Sequence, residues 1–198
     1  AEEIPNISMV DGASIRLNEY SGVRFTAEVD KDYYDAIEGN KQTGMFIIPY
    51  DLLGENEINE NLDANLVKDV KTEVWRADGK SFNSVLYNIP ETQYGRQLAA
   101  RAYVKTDAGY EWSAKTVVRS MAEVASKALV DGKAYNGEPF TADEINSLNA
   151  YVDGSVASLA FNEADYCVTV GGEISLQYTV TAKNAAHDLS SLQAKFVS

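Results

Sequence analysis

Residues 22–29 read Gly-Val-Arg-Phe-Thr-Ala-Glu-Val, and this stretch decides the fold class. Val23, Phe25, Ala27 and Val29 alternate with Arg24, Thr26 and Glu28, the period-two pattern of an antiparallel strand with one buried and one wet face. Just upstream, Ile15 and Leu17 flank Arg16 with the same period, and Asn18-Glu19-Tyr20-Ser21-Gly22 supplies the turn between the two strands. Downstream, Asp30 predicts a cap for a short helix over 31–38, with Tyr34 and Ile37 inward and Gly39 as its stop.

The same reading extends along the chain. Gly44-Met45-Phe46-Ile47-Ile48 is an apolar run of strand length closed by Pro49, and residues 54–65, with four acids and no base, read as a solvated loop. Residues 67–76 and 81–89 predict a long hairpin about Ala77-Asp78-Gly79-Lys80. On that strand Trp75 falls with Lys71 and Glu73, opposite Val70, Thr72 and Val74, which puts it on the wet face. Residues 97–106 and 110–114 predict a second hairpin, with Trp112 near its tip. The period then changes: Val117, Met121, Val124 and Ala128, flanked by Val118, Ala125 and Leu129, predict an amphipathic helix ending at Asp131-Gly132. Thr141 with Glu144 forms a capping box for a second helix through Tyr151, stopped by Gly154.

After residue 154 the period returns to two, over 156–161, 166–170, 173–182 and 192–197. The expected architecture is α+β and β-rich: residues 1–154 form an antiparallel sheet or sandwich with one or two packed helices, and residues 155–198 form a short β-unit. Forty-odd residues are too few for an independent sandwich, so that unit either packs on the first or belongs to a domain that continues beyond the chain.

Seventeen Lys and Arg against thirty Asp and Glu leave a net charge of −13, a field that repels polyphosphate and anionic lipid head groups, so neither nucleic acid nor a membrane surface is an expected partner. No apolar run is long enough for a membrane-spanning helix. The charge is uneven: residues 95–127 carry 6 bases and 3 acids and form the one basic segment, where an acidic ligand or neighbour could dock. A single His187 and a single Cys167 exclude a Cys/His zinc site, an internal disulfide and a CxxC redox pair. His187 lies in a turn-like stretch and Cys167 in a strand pattern, so neither reads as part of a catalytic set.

Three kinds of chemistry remain open. Glu73 and Glu111 are among many acids that could serve a glycosidase, and abundance gives no reason to single out a pair. Asp30, Asp32 and Asp35, or Glu55, Glu57, Glu60 and Asp63, could offer oxygen ligands to calcium, although neither set follows the EF-hand order. Twelve Tyr and two Trp exceed the needs of a core this size, and Trp75, Tyr110 and Trp112 are the rings best placed to stack against a glycan. Arg16, Arg24, Arg96 and Arg101 recur on strands and could form a polar face that binds an anion, Arg101 being the ligand-binding candidate among them, but pairing with carboxylates such as Glu28 or Glu73 is the expected use.

Gly12–Leu17, Gly22–Ala27, Met45–Pro49 and Arg101–Val104, with Val118-Arg119-Ser120 opening a helix, resemble a module that recurs in large secreted or cell-surface proteins of gut Firmicutes. The resemblance covers residues 9–131 and implies a setting, a surface protein of a Gram-positive gut bacterium, without implying a reaction. Ser158–Phe161 followed by Val168–Leu176 is similar to the opening strands of a bacterial Ig-like domain of the group 2 type, whose later Trp is missing here. The acidic start on Ala1 also suits a mature secreted chain. The reading that unites these observations is a non-catalytic extracellular or cell-surface module, structural or adhesive, that positions neighbouring domains or binds a surface protein. A carbohydrate-binding module is the alternative, and a glycoside hydrolase unit ranks third.

Overall fold

The computed structural model describes residues 5–17, 20–134, 136–154, 156–161 and 177–182. In chain order these form β1 (Ile7–Met9), β2 (Ser14–Arg16), β3 (Gly22–Val29), α1 (Lys31–Ala36), β4 (Lys41–Pro49), the single turn α2 (Tyr50–Leu53), β5 (Lys68–Lys71), β6 (Val74–Trp75) and β7 (Ser81–Tyr87). A 3₁₀ turn over Glu91–Gln93 leads to β8 (Leu98–Thr106), β9 (Gly109–Trp112), β10 (Val117–Arg119), α3 (Met121–Asp131), α4 (Ala142–Asp153), β11 (Val156–Phe161) and β12 (Tyr178–Ala182). The fold is α+β and β-rich, with antiparallel sheets, as the alternation at 22–29 requires.

The first sheet has the order β1-β3-β7-β6, with β2 also on β3; the second has the order β10-β8-β4-β5, with β9 also on β8. Their inner faces share one core. Val23, Phe25 and Ala27 of β3 and Phe82 of β7 meet Met45 and Ile47 of β4 and Ala100, Ala102 and Val104 of β8, all buried. Met121 and Ala125 of α3 and Leu148 and Tyr151 of α4 join the same cluster, so both helices pack on the sandwich. Each helix starts with a complete capping box, Ser120 with Glu123 and Thr141 with Glu144. β11 and β12 pair with each other in a separate two-stranded sheet. The remaining expected strands of that region, the Gly171-Gly172 turn, Cys167 and His187 lie outside the described residues.

Three expectations need correction. The run over 67–76 is not one strand: β5 pairs with β4 in the second sheet, while β6 pairs with β7 in the first. The crossover lies at Thr72–Glu73, where the Thr72 N–H still bonds to Thr43 O and the Glu73 N–H bonds to Asn83 O. That crossover reverses which side chains face inward, so Val74 is 54% exposed while Trp75 packs against the core beside Tyr34 and Phe82. The predicted wet face for Trp75 assumed an unbroken period of two. Second, Val117 and Val118 are extended in β10, opposite Ala100 and Ala99, and the helix begins only after Ser120. Third, the acidic loop over 54–65 is not simply solvated: Ile58 is fully buried and joins Leu53, Val67, Ile48 and Ala99 in a second apolar cluster on the outer face of the second sheet.

The Asp-Gly hairpin holds as read. Asp78 accepts from the N–H groups of Lys80 and Ser81 and from the Ser81 hydroxyl, and Gly79 takes the left-handed backbone that the turn needs. These three donors pull the Asp78 carboxyl down to about 2.

Candidate functional site

The strand registers arrange the outer face of the second sheet in rows. Tyr103 sits between Trp112 on β9 and Gly44 on β4, and Gly44 stands opposite Lys71 on β5. The neighbouring row runs from Arg101 through Phe46 to Asp69. On the other side, Lys105 stands opposite Tyr110. On β4 and β8 the intervening Met45, Ala102 and Val104 belong to the core, so period two places the aromatic and charged groups on the opposite face.

Gly44 lets the rows close. A Cβ there would lie 2.5 Å from Tyr103 Oη and 2.8 Å from Val70 O, so only glycine lets the phenol lie across β4. The Tyr103 hydroxyl then donates to Asp69 at 2.7 Å and accepts from Lys71 Nζ at 2.9 Å, and Lys71 pairs with Asp69. Burial, aided by the bond to Asp69, raises the Tyr103 phenol far above its usual range, so it stays protonated.

Tyr110 and Trp112 stack, with centroids 5.3 Å apart and planes 12° from parallel. Phe46 and Tyr103 support both rings edge-on at 5.1–6.0 Å. Arg101 Cζ lies 5.8 Å from the Trp112 centroid and Lys105 Nζ 4.9 Å from the Tyr110 centroid. Two rings this close leave no room for a cation between them, so the cations take the outward faces. The order is Arg101, Trp112, Tyr110, Lys105, a ladder of alternating cation–π and π–π contacts.

The two ends of the ladder differ. Arg101 donates to Ser113 O at 2.7 Å and Ile58 O at 2.8 Å, and it faces Glu57 at 3.5 Å. It therefore fastens the 54–65 loop to the sheet, a task shared by Trp112, whose Nε1 donates to Glu60 at 2.9 Å. Lys105 is exposed, so its side chain can leave the face of Tyr110. The Arg101–Trp112 end of this sheet face lies under the loop, and Lys105 and Lys71 are exposed to solvent.

Of the four residues singled out from the sequence, Tyr110, Trp112 and Arg101 come together here, and Trp75 lies apart in the first sheet. Phe46, Tyr103, Lys105 and Gly44 complete the site. Phe46 and Gly44 were out of reach of sequence reasoning because their proximity depends on the β4–β8 pairing, with a glycine inside an apolar strand run as the local hint, whereas Tyr103 and Lys105 stand opposite Trp112 and Tyr110 across the expected 97–106/110–114 hairpin, whose register was the signal. The basic segment 95–127 has spent most of its charge internally: Arg96 makes a two-point contact with Asp51 at 2.7 Å, Arg101 is committed as above, and Arg119 faces Glu123 at 3.7 Å.

Seven of the nine acids considered for other chemistry have partners, among them Glu57 and Glu60 as above. Glu111 accepts from Asn6 at 2.8 Å and from the Tyr33 hydroxyl at 2.5 Å, and Glu73 accepts from Arg16 and Tyr87. Asp30 caps α1, Asp35 pairs with Lys31, and Asp63 accepts from Asn65. Among the described residues no three His, Cys, Asp or Glu side chains converge as a metal-binding group. No family model, curated protein or solved structure matches the chain, so the reading of this face stands on its geometry.

Proposed function

We propose that the chain is a non-catalytic extracellular or cell-surface module whose recognition surface is the open part of the second sheet's outer face, around Tyr110, Lys105 and Lys71. The observation that carries this reading is the ladder itself. Four aromatic rings are held against one another on one β-surface with three cations on their faces, which is a low-entropy platform for a partner. Glu73 and Glu111, the acids weighed for hydrolysis, are tied into separate structural contacts in the two sheets, which favours binding over catalysis. The resemblance of residues 9–131 to a surface-protein module supports the setting, and neighbouring domains or another surface protein are the natural partners.

Carbohydrate binding is the second reading, and Tyr110 is the specific reason for it. A sugar ring needs one free aromatic face, and Tyr110 gains one when the exposed Lys105 side chain moves away. Trp112 has no such face, because Tyr110 covers one side and the anchored Arg101 the other.

A Trp75→Phe background leaves Trp112 as the sole tryptophan and so reports on this face. Its emission is followed across a panel of polysaccharides and of bacterial surface proteins. Binding lost in Tyr110→Ala supports the recognition face, and the class of ligand separates the two readings. Silence across the whole panel, or hydrolysis of a glycan abolished by Glu111→Gln, would overturn the proposal.

A further inference from the structure

A cleft of about 550 Å³ opens between β2, α3 and the turn that joins α3 to α4. It is separate from the aromatic ladder. Ile15, Leu17, Val124 and Phe140 give it an apolar lining; Val124 is buried, and the other three pack against the main core. Among the described residues its charged lining is four bases, Arg16, Arg24, Lys127 and Lys133, against two acids, Asp131 and Glu144. On a chain of net charge −13 that balance is a local inversion.

The acids are already engaged. Asp131 pairs with Lys127 one turn earlier on α3 at 2.6 Å, and Glu144 accepts from the Thr141 N–H at 2.8 Å in the capping box of α4. Arg16 spends its guanidinium on Glu73 and Tyr87, so it contributes mainly its stem. Lys133 is exposed and pairs with no carboxylate among the described residues. The cleft therefore offers an apolar wall next to a cationic rim with charge to spare.

We infer that this cleft binds a small amphiphilic organic anion, with its hydrocarbon or aromatic body against Ile15, Leu17, Val124 and Phe140 and its acidic head toward Lys133. The volume falls within the roughly 300–1,000 Å³ typical of small-molecule sites, and mixed walls of this kind are their usual chemistry. An inorganic anion would gain nothing from the apolar wall. An extended peptide adding to the sheet edge would find only the three residues of β2, too few main-chain groups to anchor it.

Decanoate is the probe, titrated into the full chain and followed by amide chemical-shift mapping. Shifts should concentrate in residues 13–17, 124–131 and 133–140, saturating below about 1 mM. Lys133→Glu should weaken binding roughly tenfold at low salt, with the loss shrinking as ionic strength rises. Ala128→Phe, which fills the cleft without changing charge, should abolish it while leaving spectral dispersion intact. Should Ala128→Phe fail to fold, the exposed Lys133 variant still decides. No localised shifts, or unchanged affinity in Lys133→Glu, overturns the inference. So does inorganic phosphate producing the same shifts at the same concentrations, which would mark a plain anion site. Binding of an alternating Glu-Val peptide along β2 with no binding of decanoate would overturn the inference and assign the edge to strand addition instead.

Discussion

Gly44→Ala should destabilise the protein by far more than one added methyl group suggests. The new Cβ would stand 2.5 Å from Tyr103 Oη, 2.8 Å from its Cζ and 2.8 Å from Val70 O. The carbonyl belongs to the paired strand β5, so the ring must yield. Tyr103 is fully buried, and tilting it breaks the bond from its hydroxyl to Asp69 and the one from Lys71. Overpacking costs about 1–3 kcal/mol, and losing a hydrogen bond to a charged group costs about 1.5–3 kcal/mol. Together these come to about 2.5–6 kcal/mol, which lowers Tm by roughly 5–24 °C for a chain of this size. The assay is urea unfolding followed by circular dichroism, with m unchanged, alongside a thermal scan. A double-mutant cycle with Tyr103→Ala isolates the ring: Gly44→Ala should cost less in that background, because the clash with the phenol is gone, while the 2.8 Å approach to the Val70 carbonyl sets the cost that remains. A Tm within about 2 °C of wild type, or strict additivity in the cycle, would refute the argument that glycine is kept here for the phenol.

Other outcomes follow from the geometry. Trp75→Ala should cost about 2–3 kcal/mol because the ring packs on Tyr34 and Phe82, whereas Val74→Ala should stay within about 0.5 kcal/mol; comparable losses in a denaturation series would contradict the reversed face. Arg101→Ala strands the carbonyls of Ser113 and Ile58 and should cost about 2–3 kcal/mol. It should also speed hydrogen exchange across the 54–65 loop and shift Trp112 emission to the red, and protection unchanged in that loop would exclude Arg101 as its fastener. Asp78 sits near 2 in the fold, against about 3.9 for an ordinary aspartate in an unfolded chain. Its ionised form therefore stabilises the protein fully above about pH 4, and that contribution is lost as the pH falls toward 2. Asp78→Ala should be less stable at pH 7 and converge on wild type in acid; a gap independent of pH would show that the hairpin does not rely on the charge.

The parts of the fold legible in the sequence are those set by near neighbours. Alternation at 22–29 gives the strand and its buried face, Asp78-Gly79 gives a hairpin, and Thr141 with Glu144 gives a helix start, because each depends on residues within a few positions. What was hidden depends on remote pairing. The strand pattern over 67–76 gives no sign that Thr72 belongs to one sheet and Glu73 to the other, since both conformations are extended. Ile58 and Leu62 were the visible clue that an acidic loop carries an apolar face, but only Ile48 and Ala99, brought alongside by the β4–β8 pairing, give that face a place to dock. Ser120 with Glu123 was an equally local signal for the start of α3; the helical spacing of Val117 with Met121 masked it. For the candidate site, Tyr110 and Trp112 share a face by simple alternation, whereas Trp75 was lost to the same crossover that split its strand.

The sheets are unequal across their width. Central β3, β7, β4 and β8 carry seven to nine residues each, while β1, β2, β6, β5, β9 and β10 at the margins carry two to four. β1 and β2 divide one side of β3 between them, and β9 and β10 do the same for β8, with a break in the ladder in each case. A neighbouring molecule approaching either margin meets short, interrupted segments that cannot template a continuous intermolecular sheet. These two sheets are thereby protected against fibrous self-association when many copies are crowded together, a protection built into strand length rather than into surface charge.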